Sequence, residues 1–119
     1  MNQVNRQHTL EKEDNFIWVH FPEHAIIHAE TLEIIVKDLM EFYQTDFPLL
    51  LDMHGIEGFS VDAFELILEL VSNCHQHVAV YSDPNAIGHK YAKLLEMSVH
   101  NHNTRAFQNV QAAKSWLTH

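Results

Sequence analysis

A chain of 119 residues with 16 acidic against 7 basic side chains, net charge −9, can fill one domain with a real core but not two. Its single cysteine excludes an internal disulfide, and no apolar run approaches the roughly 20 residues of a membrane-spanning helix. The polar start MNQVNRQHTLEKEDN lacks the apolar stretch of a signal peptide, so a cytoplasmic protein with no membrane span is expected.

The acidity is uneven. Residues 1–60 carry 3 basic and 11 acidic side chains, net −8, whereas residues 61–119 carry 4 and 5, net −1. Such a first half repels phosphate backbones and anionic lipid, so nucleic acid is not an expected partner. The charge serves solubility, or steers a basic partner.

Residues 1–14 read as a polar segment with a short strand at Thr9–Leu10, and residues 15–119 as a single domain. The first clear strand is Asn15 to Phe21, ended by Pro22. Ala25 to His28 is ambiguous between strand and loop. From about Ala29 to Tyr43, Leu32, Ile35, Val36, Leu39 and Phe42 or Tyr43 recur at helical spacing, with Glu30, Glu33, Lys37, Asp38 and Glu41 mainly on the other faces. Pro48 to Met53 is a short continuous apolar run, the pattern of a strand covered on both sides. A loop with two glycines leads to Ser60, a helix cap, with Asp62 in the first turn and Phe64, Ile67, Leu68 and Val71 as the stripe.

His77 to Tyr81 is the next strand. Asp83-Pro84 opens a third helix, the aspartate as cap and the proline at the first helical position, with Ile87, Tyr91, Leu94 and Leu95 as its apolar stripe. Arg105 to Phe107 is a final short strand, and Asn109 caps a last helix in which Val110, Ala113 and Leu117 share a face. Trp18, Tyr91, Phe107 and Trp116 fall on apolar stripes and belong to the core or its edge. Alternating strands and helices give an α/β domain: a mostly parallel sheet with right-handed crossovers, about four helices, and one or two N-terminal strands antiparallel at or near an edge. Three glycines, at 55, 58 and 88, cannot build a dinucleotide or phosphate loop, and no cofactor is expected.

Three segments carry a family resemblance: LLLDMHGIEGFSVDAFELI, HVAVYSDPNAIGHKYAKLLEM and TRAFQNVQAAKSWL. Together they resemble STAS-like proteins related to bacterial anti-sigma-factor antagonists of the stage II sporulation protein AA type. The resemblance spans roughly Phe16 to Leu117 and implies a STAS-like fold and a regulatory, protein-binding, non-enzymatic role. In those antagonists an Asp-Ser-Ser-Gly motif follows the equivalent loop, and its second serine is phosphorylated by the partner kinase. Here Ser60, Val61 and Asp62 take the motif's first three places. The acceptor position therefore holds Asp62, which carries permanent negative charge, and the standard serine phosphoswitch is not expected.

The docking surface implied is the loop Met53 to Phe59 with the helix start, through His54, Gly55, Glu57, Ser60, Asp62 and Phe64, joined by Asp83 on the neighbouring loop. The expected partner is a protein, under the resemblance a regulatory kinase or an anti-sigma-type protein, or a second copy in a homodimer. The alternative is a small apolar or lipid-like ligand held between the first helix and the sheet. A hydrolase needs a histidine and an acid within reach of Ser60, and the chain has no Gly-x-Ser-x-Gly elbow.

Eleven histidines are the compositional oddity. Cys74 and His75 precede the strand at His77 to Tyr81, and His100 and His102 precede that at Arg105 to Phe107; if those strands are neighbours, these four are the candidate metal ligands, yet their spacing fits no standard zinc pattern and no metal is expected. Protonation of all eleven moves the formal charge from −9 to +2, so a solubility that changes with pH is an expectation.

Overall fold

The computed structural model describes residues 9–43, 47–99 and 103–118. In chain order the elements are β1 (Thr9–Lys12), β2 (Ile17–His20), β3 (Ile26–Ile27), α1 (Ala29–Tyr43), β4 (Leu49–Asp52), β5 (Gly58–Phe59), α2 (Val61–Ser72), β6 (Val78–Tyr81), α3 (Gly88–Ser98), β7 (Thr104–Phe107) and α4 (Val110–Leu117). Five strands form a sheet in the order β1-β2-β4-β6-β7. The β1–β2 pair is antiparallel and the other three pairings are parallel. The α/β class and the antiparallel edge strand are as expected. β1 is longer than its two-residue forecast and is hydrogen-bonded into the domain's sheet.

β4 lies at the centre because all four of its residues can be buried. Ile17, Val19, Leu49, Leu51, Val78 and Val80 face the layer of α1, α2 and α3. Phe16, Leu50 and Ala79 face Ala113 and Leu117 of α4. Alternate side chains of a strand point to opposite faces, so a run that is apolar at every position fits only between two layers. Each Leu or Val buried in this way contributes about 1.5–3 kcal/mol.

Two helix caps form as the sequence indicates. Ser60 Oγ accepts the Ala63 N–H at 3.2 Å, and Asn109 Oδ1 accepts that of Ala112 at 3.0 Å. The third helix departs from expectation. Asp83 Oδ1 accepts the N–H of Asn85, and Asp83 C=O that of Ala86, so the aspartate closes a turn and the helix starts at Gly88. α3 then buries Gly88, Ala92 and Leu95, leaving Ile87 and Leu94 exposed. The stripe is rotated because Gly88 packs against the Met53 carbonyl, where an added Cβ would lie 2.2 Å from the oxygen.

The ambiguous stretch at Ala25–His28 contains strand β3, which pairs in parallel with β5 as a two-stranded sheet. That small sheet follows directly from the ends of β2 and β4. It fixes the path of both loops over the carboxyl edge of the main sheet.

Candidate functional site

The last row of the main sheet aligns His20, Asp52, Tyr81 and Phe107. From its end, the loop 53–57 runs beside the loop 21–25. Three backbone bonds join them and the small sheet: His24 N–H to Gly55 C=O, Glu57 N–H to Ala25 C=O, and Ser60 N–H to Ile27 C=O, at 2.8, 2.8 and 2.9 Å. His24 takes a left-handed φ of 58°, the sharp bend that turns the first loop onto the second.

Side chains fasten the same junction. His54 places Nδ1 2.6 Å from Asp52 Oδ1 and Nε2 2.6 Å from Glu23 Oε1. Asp52 is 5% exposed and also accepts the Trp18 indole N–H at 3.1 Å and the His54 backbone N–H at 3.2 Å. His20 Nδ1 adds a fourth neighbour at 3.8 Å from the other carboxylate oxygen. A buried carboxylate is stable only with such partners. The hydrogen bond to Asp52 raises the His54 pKa above its ordinary 6.5; burial opposes it, and the charges of Asp52 and Glu23 and the Glu23 hydrogen bond add to the rise. With a carboxylate against each ring nitrogen, the imidazolium is the form that satisfies both.

Chemically, His54 is a fastener. Both ring nitrogens are occupied, and the Ser60 hydroxyl is engaged with Ala63 N–H as a cap. A serine–histidine pair occurs elsewhere, Ser82 Oγ to His89 Nδ1 at 3.3 Å, but Ser82 is fully buried and its own N–H is bonded to Phe107 C=O.

The structure brings most of the sequence-selected residues to one edge. His54, Gly55 and Glu57 form the loop, Ser60 and Asp62 open α2, and Asp83 lies on the adjoining β6–α3 connection. Glu57, Asp62 and Asp83 are exposed. Phe64 is half-buried, its ring 6.2 Å from Phe59 and 5.8 Å from Tyr91, so it supports the loop from beneath. Sequence reasoning missed Trp18, Glu23 and the role of Asp52. The available signal was an aspartate ending an otherwise apolar strand, a charge that has to find partners.

Three aliphatic side chains stand in solvent at this edge: Val61 at 75% exposure on the first turn of α2, Ile26 at 54% on β3 opposite Gly58, and Ile87 at 52% ahead of α3.

Of the candidate metal ligands, Cys74 and His75 lie in the turn before β6; His100 and His102 fall outside the described residues. Among the described residues, no group of three or more His, Cys, Asp or Glu side chains is placed to hold a metal. The space between α1 and the sheet is filled by Leu32, Ile35 and Leu39. Among the described residues, a concavity opens instead between α1 and α2, at the other end of the sheet.

The antiparallel edge pair, the parallel sheet covered on both faces and the loops at its carboxyl edge define a SpoIIAA-like α/β domain. A crystal structure of an uncharacterised DUF3478-family protein with a SpoIIAA-like fold, from Shewanella loihica PV-4, matches at a TM-score of 0.63 and 16% identity, covering 92% of this chain and 91% of that one. The chain belongs to the family described as a domain of unknown function, DUF7793, whose model matches residues 10–119. No curated protein matches the chain. Among the described residues, no helix is long and apolar enough to cross a membrane.

Proposed function

We propose that this is a non-enzymatic regulatory domain that binds another protein through residues 53–64, in the manner of an anti-sigma-factor antagonist but without a serine phosphoswitch. The observation that carries the reading is the exposed Val61 beside the exposed Asp62 on the first turn of α2, directly after a loop hydrogen-bonded to its neighbour through Gly55, Glu57 and Ser60. A rigid loop with an aliphatic point and flanking acids suits protein docking: apolar burial gives affinity, and charge gives orientation and on-rate. Asp62 occupies the place of the phosphoacceptor serine in the resembled motif, so its charge is constitutive and the domain docks without being switched there.

The test is Asp62→Arg. The partner is captured on tagged wild-type protein from the native cell, identified, and its affinity measured for both forms. The variant is expected to bind at least about tenfold more weakly, with an unchanged thermal midpoint. Equal affinity refutes the assignment of the surface.

A further inference from the structure

Between α1 and α2, at the amino-terminal end of β4, runs an open groove of about 600 Å3 lined by Leu39, Leu49, Leu70 and the Cys74–His75 turn. Over Val36, Met40 and Leu66 it continues into a shallower furrow edged by Glu33, Lys37 and Glu41. Met40 stays 59% exposed on its lip.

The charge around this groove is mainly negative. α1 carries Glu30, Glu33, Asp38 and Glu41 against Lys37, and α2 carries Asp62, Glu65 and Glu69 with no base. These two helices therefore supply −6 of the net −9. Of the seven acids, Asp38 is buried and the other six are exposed. The one base, Lys37, lies 3.9 Å from Glu41. The groove borders hold Glu33, Glu41 and Glu69 beside its apolar lining.

From Glu33 to Glu41 the groove follows α1 for about 12 Å, at about 1.5 Å per residue, which is two turns of helix. Both walls are helices whose backbone groups are internally bonded, so an extended strand finds no edge to join here. A helix with apolar side chains at i, i+3 or i+4 and i+7 spans the same length.

We propose that the α1–α2 groove docks a basic amphipathic helix of a protein partner. Its apolar side chains seat on Val36, Met40, Leu66 and Leu70, and its flanking Lys or Arg side chains meet Glu33, Glu41 and Glu69. This surface lies at the opposite end of β4 from the loop at residues 53–64, so it does not depend on that loop's role. Anionic membrane is repelled by the same charge that selects the helix.

The test uses the full chain, isotope-labelled for NMR, titrated with a synthetic helical peptide of about 14 residues made of Leu at i, i+3, i+4 and i+7 spacing and Lys elsewhere. Saturable shifts are expected at Val36, Met40, Leu66 and Leu70. Glu33→Lys combined with Glu69→Lys is expected to weaken binding at least about tenfold, whereas Glu13→Lys combined with Asp14→Lys, the same charge change away from the groove, alters it less than about twofold. Equal weakening by the two double variants overturns the proposal, because overall charge then explains the binding. So does equal affinity for the peptide with Glu in place of Lys, which makes the groove a site for any apolar chain. Shifts confined to residues 53–64, or none, overturn it as well and leave the loop assignment untouched.

Discussion

His54 Nδ1 sits 2.6 Å from Asp52 Oδ1, so the central strand ends in a buried carboxylate whose partner is a titrating imidazole. The loop that bears the proposed docking surface therefore depends on a proton. Because the His54 pKa is raised in the folded state, its contribution is fully present below the unfolded value of 6.5 and is lost as pH rises through the folded pKa. His54→Gln removes that contribution. The urea midpoint of the wild type is expected to exceed that of His54→Gln most at the acid end of a series from about pH 6 to 9, with the difference shrinking toward alkaline pH. A difference that grows with pH reverses the sign and refutes the ion pair. Asp52→Asn keeps an acceptor for Trp18 yet removes the charge, and is expected to lower the His54 pKa measured by NMR.

Gly88 and Gly55 look alike in the sequence and differ in what surrounds them. A Cβ on Gly88 meets the Met53 backbone carbonyl at 2.2 Å, and backbone at the end of the central strand cannot move aside. Gly88→Ala is expected to cost about 1–3 kcal/mol in urea unfolding, outweighing the better helix propensity of alanine. A Cβ on Gly55 meets Glu23 Cγ at 2.7 Å, the middle of a flexible, exposed side chain. Gly55→Ala is expected to cost less than Gly88→Ala, and to reduce the His54 pKa by displacing Glu23. Equal costs at the two sites would show that the Met53 contact is not the constraint.

Ser60 precedes the first turn of α2, and its hydroxyl oxygen has a structural task at Ala63 N–H. Ser60→Ala is expected to lose about 1 kcal/mol, the usual cost of a missing cap, and Ser60→Asp to retain most of the stability. Matching stability for Ser60→Ala and wild type would leave the serine without its structural explanation.

The residues that were easy to place make their signal locally. α1 spans Ala29–Tyr43 as read from the sequence, because Leu32, Ile35 and Leu39 repeat at the helical period and sink into the core. β4 was legible because an unbroken apolar run fits only between two layers. β3 and β5 were not, since two residues show no period and their pairing joins positions about thirty apart, Ile26 with Gly58. An aspartate before a proline marks both a helix cap and an Asx turn, and only the crowding at Gly88 decides between them. The candidate edge was legible as a loop between strand and helix. Its fastening was not, because Glu23, Trp18, Asp52 and His54 meet only once β2 and β4 are paired.

β7 is an edge strand of the sheet, and one carboxylate guards it. Glu96 Oε2 accepts the Ala106 backbone N–H at 2.8 Å, while Oε1 takes the Lys93 ammonium at 2.9 Å. Burial alone raises the pKa of Glu96, but the Ala106 bond, the bond and charge of Lys93 and the charge of Arg105 outweigh it, and the net shift is downward from 4.5. Stability from this carboxylate is thus present above the unfolded pKa and lost as pH falls through the lower folded value. The same bond occupies a donor that another strand would need in order to pair with β7. Glu96→Ala is expected to flatten the acid limb of the stability profile and to increase self-association at high protein concentration, read by light scattering near neutral pH. Glu96→Gln, which keeps an acceptor oxygen without the charge, is expected to restore wild-type scattering more fully than the acid-limb dependence. If Glu96→Ala unfolds at the wild-type urea midpoint and scatters no more light, the carboxylate neither stabilises nor protects the edge.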